Sequence, residues 1–140
     1  MIHIRESLFH ECMDLSFKIP EFNSPYKIEE YKKRCAGKYL ALIAEIDNQP
    51  VGFKIGYDRF KNGSFYSWMG GVLPKFRRMG VASSLANFQE KWANKNGFSS
   101  IILKTRQKHD EMIAFSLNRG FIITEETRIL MQKSLNSYGN

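Results

Sequence analysis

The sequence predicts a single mixed α/β domain over residues 1–140, with a mainly antiparallel sheet flanked by helices. Three features of the chain predict this class. Short apolar runs that suit strands alternate with amphipathic segments that suit helices. An Asn-Gly pair at residues 62–63 indicates a tight turn between two strands. A basic segment that contains a glycine then leads from a strand directly into a long helix.

The composition excludes several other classes of protein. With 43% hydrophobic and 14% aromatic residues, the chain is neither disordered nor fibrous. Its longest apolar runs fall far short of the ~20 residues that span a bilayer, and the N-terminus lacks the apolar core of a signal peptide. Cys12 and Cys35 form neither a disulfide framework nor a zinc-ligand spacing. We therefore expect a cytoplasmic protein with no membrane partner and no metal.

The net charge of +7 indicates an anionic partner, either a small polyanion or a nucleic acid, or else basic residues that are simply solvated. We take Lys27, Lys32, Lys33, Lys91 and Lys95 as solvated surface residues. Six basic residues cluster around the glycine-containing segment and the strand that follows its helix: Lys75, Arg77, Arg78, Lys104, Arg106 and Lys108. The chain lacks a basic helix interleaved with aromatic residues, which a nucleic-acid-binding module would favour. We therefore predict a small polyanionic ligand and no nucleic acid.

The first elements are a short edge strand and two helices. Residues 2–5 alternate like a strand, and residues 7–18 carry apolar side chains at helical spacing, namely Leu8, Cys12, Leu15 and Ile19. Pro20 ends this helix, and residues 27–35 form a second short helix. Three strands follow as an antiparallel meander: residues 39–46, 51–60 and 64–73, joined by turns at 47–50 and 61–64.

Residues 77–83, which we name the glycine turn, join the third strand of the meander to the next helix. Pro74 ends the strand because it cannot donate a ladder hydrogen bond. The first turn of a helix leaves backbone N–H groups without partners and carries the positive end of the helix dipole. Gly80 permits close approach of a ligand, and Arg77 and Arg78 add positive charge. The glycine turn therefore predicts a phosphate-binding site.

The remaining elements complete the sheet. Residues 81–94 form a helix whose inner face carries Val81, Leu85, Phe88 and Trp92, and Asn96-Gly97 ends it. Residues 99–105 form a buried strand, and residues 109–119 form a helix capped by Gly120. Residues 121–127 and 129–135 form a closing strand pair.

Two motifs carry a family resemblance: Arg77-x-x-Gly80-x-Ala82 in the glycine turn, and Asn118-Arg119-Gly120-Phe121 after the last helix. With the order of elements, they make the chain resemble the GNAT superfamily of acyl-CoA-dependent N-acetyltransferases. The resemblance implies a twisted sheet that splays where the strand before the glycine turn meets residues 99–105, with acetyl-CoA in the splay. It also implies transfer to a primary amine of a small-molecule or peptide acceptor. GNAT domains often pair, so a homodimer is one option.

The resemblance also implies a set of cofactor-binding residues. Backbone amides from Arg78 to Ala82, with Ser83, would hold the pyrophosphate, and the strand end at Val72, Leu73 and Pro74 would line the pantetheine arm. The set is Val72, Leu73, Arg77, Arg78, Met79, Gly80, Val81, Ala82 and Ser83. Two roles stay open for Arg77, which either binds phosphate or pins the loop by hydrogen bonds to carbonyls.

Acetyl transfer needs a neutral amine, a donor for the oxyanion and a proton for the leaving thiolate, and it needs no covalent enzyme intermediate. The second family motif usually carries asparagine, alanine and tyrosine where this chain has His109, Met112 and Ser116. The tyrosine is normally the acid. Ser116 either acts through water in its place or is simply a small residue on the helix.

In the family, the general base is often a carboxylate on the strand before the glycine turn. Residues 64–69 of this chain contain no acidic residue. Tyr66 is one substitute, passing a proton through water. With Trp68 it also offers an aromatic floor for the acceptor. Other options are Glu21, Glu29, Glu30, Glu45 and Asp58. We predict direct attack in a ternary complex, and the alternative is an acyl-CoA-binding or sensing protein with the same fold.

Overall fold

A computed structural model describes residues 1–105, 109–125 and 129–135. The described chain forms two compact units. One contains residues 1–57 and 69–89, and the other contains residues 58–68 and the described residues from 90 onward. Helices and strands alternate as the mixed α/β class requires, so this prediction is confirmed. The single domain over residues 1–140 stays a prediction.

The first unit is an antiparallel sheet with helices packed on it. Its elements are β1 (Ile2–Glu6), α1 (Phe9–Ser16), α2 (Ile28–Arg34), β2 (Tyr39–Ile46), β3 (Gln49–Tyr57), the end of β4 (Ser64–Val72), a short 3₁₀ helix (Pro74–Phe76) and the start of α3 (Val81–Lys95). Within it the neighbouring strands run β1-β2-β3-β4. The middle of β2 is buried on both faces, and α1 packs on β2 and β3 through Cys12 and Leu15. Burial raises the pKa of the Cys12 thiol to about 12.

The second unit contains the parallel pairing. Its elements are the start of β4, the end of α3, β5 (Ser100–Thr105), α4 (Asp110–Asn118), β6 (Ile122–Glu125) and β7 (Ile129–Ser134), with strand order β4-β5-β7-β6. The parallel register between β4 and β5 extends from Ser64↔Ser100 to Ser67↔Leu103, and β4 continues beyond it to Val72. Residues Arg106 and Lys108, and the end of the predicted strand 121–127, lie outside the described residues.

Aromatic rings and buried polar groups hold the second unit together. The ring centroid of Phe65 lies 5.3 Å from that of Trp92 and 5.1 Å from that of Phe98. The Glu90 carboxylate accepts hydrogen bonds from Arg119 Nη2 at 2.9 Å and Lys133 Nζ at 2.7 Å. These two cations bring α3, the end of α4 and β7 to a single buried carboxylate.

The two hairpin turns differ from their prediction. Asp47 and Asn48 both have positive φ, so a two-residue turn forms there and β3 begins at Gln49, before the predicted start at residue 51. In the 61–64 turn the positive φ values belong to Lys61 and Gly63. Asn62 instead accepts a hydrogen bond from Ser64 N through its Oδ1, at 3.0 Å. Its side chain thus stabilises a longer loop than the Asn-Gly pair predicts.

The ends of α3 and α4 agree with the prediction, but the inner face of α3 does not. Gly97 and Gly120 have φ values of +88° and +93°, as C-terminal caps require. Val81 and Leu85 are buried, whereas the predicted Phe88 and Trp92 are only half-buried. Polar residues at positions 89 and 90 occupy the buried face instead, and the two cations bound to Glu90 explain how a carboxylate is tolerated there.

No helix in the described ranges combines the length and the apolar character needed to cross a bilayer.

Candidate functional site

The glycine turn follows the end of β4 and the 3₁₀ helix, and it includes the first residues of α3, all within the first unit. Leu73 N donates to Val51 O at 2.8 Å, which ties the end of β4 to β3. Phe76 N then donates to Leu73 O at 2.9 Å within the 3₁₀ helix. Arg78 and Gly80 both take left-handed backbone angles, with φ of +63° and +86°. The left-handed arginine is unusual, and such backbone conformations concentrate at binding sites.

The start of α3 contains backbone amides that precede the first helical hydrogen bond. Ser84 N donates to Gly80 O at 3.0 Å, which is the first hydrogen bond of α-helical spacing in α3. The amides of Val81, Ala82 and Ser83 precede that bond, so helix geometry gives them no intrahelical acceptor. Together with the helix dipole they form an anion-binding N-terminus.

The nine predicted cofactor-binding residues lie at the end of β4 and along this turn. Arg78, Met79, Gly80 and Ala82 are exposed, whereas Val72 and Val81 are buried. Val81 packs against β3 so closely that a Cβ built on Gly52 would lie 2.9 Å from Val81 Cγ1. The side chain of Val81 therefore anchors the helix, and a ligand contact through its backbone amide stays a prediction.

Arg77 pins the loop, which is one of the two roles left open for it. Its Nε donates to Val72 O at 3.0 Å. Its Nη1 and Nη2 donate to the two carboxylate oxygens of Glu21 at 2.9 and 2.7 Å. This hydrogen bonding is the main cause that lowers the pKa of Glu21.

The segment between α1 and α2 packs directly on the end of β4. A Cβ built on Gly71 would lie 2.9 Å from Ile19 Cδ1 and 3.1 Å from Phe22 Cε2. The Phe22 ring also contacts Phe53 on β3, with 5.7 Å between centroids. Sequence reasoning missed this contact. The consecutive glycines 70 and 71 near the end of a predicted strand were the available signal for a close approach.

Tyr66 and Ser116, the two catalytic candidates, belong to the second unit. Tyr66 is buried, and Phe60 and Arg59 cover its ring at 5.8 and 4.9 Å from the centroid. Ser116 is 1% exposed and donates through its Oγ to Met112 Sδ at 3.8 Å. The ring of Tyr66 is thus occupied by this chain's own arginine, where an acceptor cation was expected to stack. Both catalytic roles stay predictions.

Four of the five carboxylates considered as bases form ion pairs. Glu21 pairs with Arg77, and the other pairs are Glu30 with Arg34, Glu45 with Arg5, and Asp58 with Lys61. The Arg34 hydrogen bond lowers the pKa of Glu30, as Arg77 lowers that of Glu21. A carboxylate with a lowered pKa is a weaker base, so these pairs reduce the suitability of Glu21 and Glu30 for proton abstraction.

A helix N-terminus that follows a left-handed glycine, in a chain of mixed α/β class, is the local geometry that binds anions in other proteins. The model of the Acetyltransferase (GNAT) family matches residues 5–121. The chain belongs to this family. The resemblance seen in the sequence is therefore confirmed.

One curated relative is an acetyltransferase of Pectobacterium atrosepticum, which is 35% identical over 75 residues. The match covers 53% of this chain and 51% of the relative, about half the length of each.

Solved structures share the fold along almost the whole chain. The ribosomal-protein-S18-alanine N-acetyltransferase of Escherichia coli has a TM-score of 0.81 at 17% identity, and the likeness covers 96% of this chain and 94% of that one. The PaiA N-acetyltransferase of Thermoplasma acidophilum, solved with coenzyme A, has a TM-score of 0.76 at 16% identity, covering 96% and 99%. The Salmonella typhimurium protein yncA, solved with acetyl-CoA, has a TM-score of 0.76 at 15% identity, covering 99% and 96%. These likenesses show the GNAT fold.

Proposed function

We propose that the protein is an N-acetyltransferase that moves the acetyl group of acetyl-CoA to a primary amine of a small-molecule or peptide acceptor. The glycine turn carries this proposal. It combines the helix amides at residues 81–83, the left-handed Gly80 and the exposed Arg78 within a few residues. Coenzyme A contains a diphosphate, which such a helix N-terminus binds well.

The residues present fit acetyl-CoA in two respects. Among the described residues, a Cβ built on Gly80 would meet only Ile2 Cδ1 within 4 Å, at 3.9 Å, which leaves room beside the turn. The chain at Val72 and Leu73 is extended, which offers backbone for the pantetheine arm. When bound, acetyl-CoA supplies the activated thioester.

The acceptor must first lose one proton, because an ammonium group has no lone pair for attack. The neutral amine nitrogen then bonds to the thioester carbonyl carbon and loses a second proton, while the carbon–sulfur bond breaks and the sulfur takes one proton, so that one proton is released overall. The leaving thiol has a pKa near that of free cysteine, ~8.5, so the thiolate leaves readily. We propose that Tyr66 passes the amine proton on through water, and that transfer proceeds without a strong side-chain acid at sulfur; the Ser116→Ala variant below tests Ser116 for that role.

Turnover with a panel of amines tests the proposed function. The panel contains polyamines, aminoglycosides, amino acids, peptides and a lysine-rich protein. Acetyl-CoA is the donor, and both free thiol and acetylated product are measured. The expected result is product formation with at least one amine class, equal to the thiol released. Coenzyme A binding without acyl transfer to any acceptor would favour the acyl-CoA-binding or sensing alternative. Two observations support that alternative: the buried Ser116 and the ring contacts that cover Tyr66.

The Ser116→Ala variant distinguishes the two roles considered for Ser116, a general acid and a passive small residue. Since the Ser116 Oγ hydrogen bonds to Met112 within its own helix, we expect a passive residue and a small change in turnover. A loss of ~100-fold or more would show that the hydroxyl takes part in proton transfer. Ser99→Ala is the control variant, because it removes an exposed hydroxyl that donates to the loop carbonyl of Gly63.

A further inference from the structure

The Arg77 guanidinium holds an anion of this chain beside the glycine turn. That anion is Glu21, which is 56 residues away in sequence and lies between α1 and α2. Nη1 and Nη2 of Arg77 each donate to one carboxylate oxygen, so the contact is bidentate. A guanidinium binds two phosphate oxygens in the same fork geometry. Glu21 and a phosphate group would therefore use the same two nitrogen atoms.

The pair is weak enough to be exchanged. The side chains of Arg77 and Glu21 are 40% and 63% exposed, and exposed ion pairs contribute little to stability. Arg77 Nε, in contrast, is held by Val72 O at the end of β4. This contact keeps the guanidinium beside the glycine turn when the carboxylate leaves.

Only the side chain of Glu21 needs to move. Its neighbours Ile19 and Phe22 are packed on Gly71, and Phe22 N donates to Ile19 O at 3.1 Å. The backbone of this segment is thus held against β4. A diphosphate next to the glycine turn would repel the Glu21 carboxylate, because both carry negative charge.

We propose that Glu21 competes with the phosphates of acyl-CoA for Arg77, and that cofactor binding releases its carboxylate to receive the ammonium group of the acceptor. This inference rests on the proposed function. It makes Glu21 a specificity-determining residue that selects a cationic acceptor only after the cofactor is bound. The released carboxylate would remain on a segment packed against the strand that we assign to the pantetheine arm.

Glu21→Gln tests the inference through two affinities that should change in opposite directions. Calorimetry with coenzyme A should give up to ~5-fold tighter binding than the wild type, since a competitor with a weak, exposed ion pair is removed. With the acceptor amine from the turnover panel, the same variant should raise KM while kcat changes little. Loss of folding cannot tighten one ligand and weaken the other.

Two further variants complete the design. Asp14→Asn removes one negative charge from the exposed surface of α1 and should leave both constants unchanged, which controls for net charge. In an Arg77→Lys background, Glu21→Gln should no longer tighten coenzyme A binding, because the fork is absent. If wild type binds coenzyme A and Glu21→Gln binds it equally or more weakly, the inference is overturned while the proposed function stands. If no protein, wild type included, binds coenzyme A, the proposed function itself fails.

Discussion

Gly80→Glu is expected to lower coenzyme A affinity by ~100-fold or more, because it places a negative charge where the diphosphate is proposed to bind. In the described part of the chain, a Cβ at this position has Ile2 Cδ1, at 3.9 Å, as its only neighbour within 4 Å, so the fold should survive. The φ of +86° adds a modest conformational cost for any residue other than glycine. Calorimetry with coenzyme A, together with a circular dichroism spectrum, measures the two effects separately.

Gly97→Glu is the matched control for this substitution. Gly97 has a φ of +88°, and a Cβ built on it meets no atom of residues 1–105, 109–125 or 129–135 within 4 Å. The Gly97→Glu substitution therefore has a similar conformational cost and adds the same charge just after the other end of α3. Coenzyme A affinity should be unchanged in Gly97→Glu. Affinity retained within threefold in Gly80→Glu would contradict the assignment of the glycine turn.

Glu90→Ala is expected to lower the free energy of unfolding by about 3–5 kcal/mol, as the loss of one partner does in other buried ion pairs. The Glu90 side chain is 2% exposed, and its partners Arg119 and Lys133 are 15% and 16% exposed. Truncation removes the carboxylate that both cations share in a poorly solvated place. Urea denaturation of the variant and the wild type measures the difference.

Glu30→Ala is the comparison variant, because Glu30 forms a surface ion pair with the same N–O distance. The Glu30–Arg34 contact is 2.7 Å, as is the Glu90–Lys133 contact, but Glu30 is much more exposed. Its removal should change the unfolding midpoint far less than removal of Glu90. Equal effects of the two substitutions would show that burial does not determine the contribution of Glu90.

Most of the elements could be predicted because their signals are local. The helix ends at Gly97 and Gly120 follow from glycine's tolerance of positive φ, and the spacing of apolar residues located α1 and α2. The predictions were less accurate within the turns. Asp47-Asn48 and Asn62-Gly63 both suit tight turns, but positive φ falls on both residues of the first pair and only on Gly63 of the second, where Lys61 takes the other positive φ. The prediction of the buried face of α3 was also partly wrong, because no local pattern shows that the Glu90 carboxylate will find two cationic partners.

The sequence by itself determined the family, the order of elements and the glycine turn, because helix N-terminal amides, glycine conformations and basic side chains act over a few consecutive residues. Only the tertiary structure decided the partners of the charged groups. Arg77 and Glu21 are 56 residues apart, and Glu90 is 29 and 43 residues from its two cations. Such pairs form because packing brings distant segments together. The sequence around a charged residue therefore does not show which distant residue will be its partner.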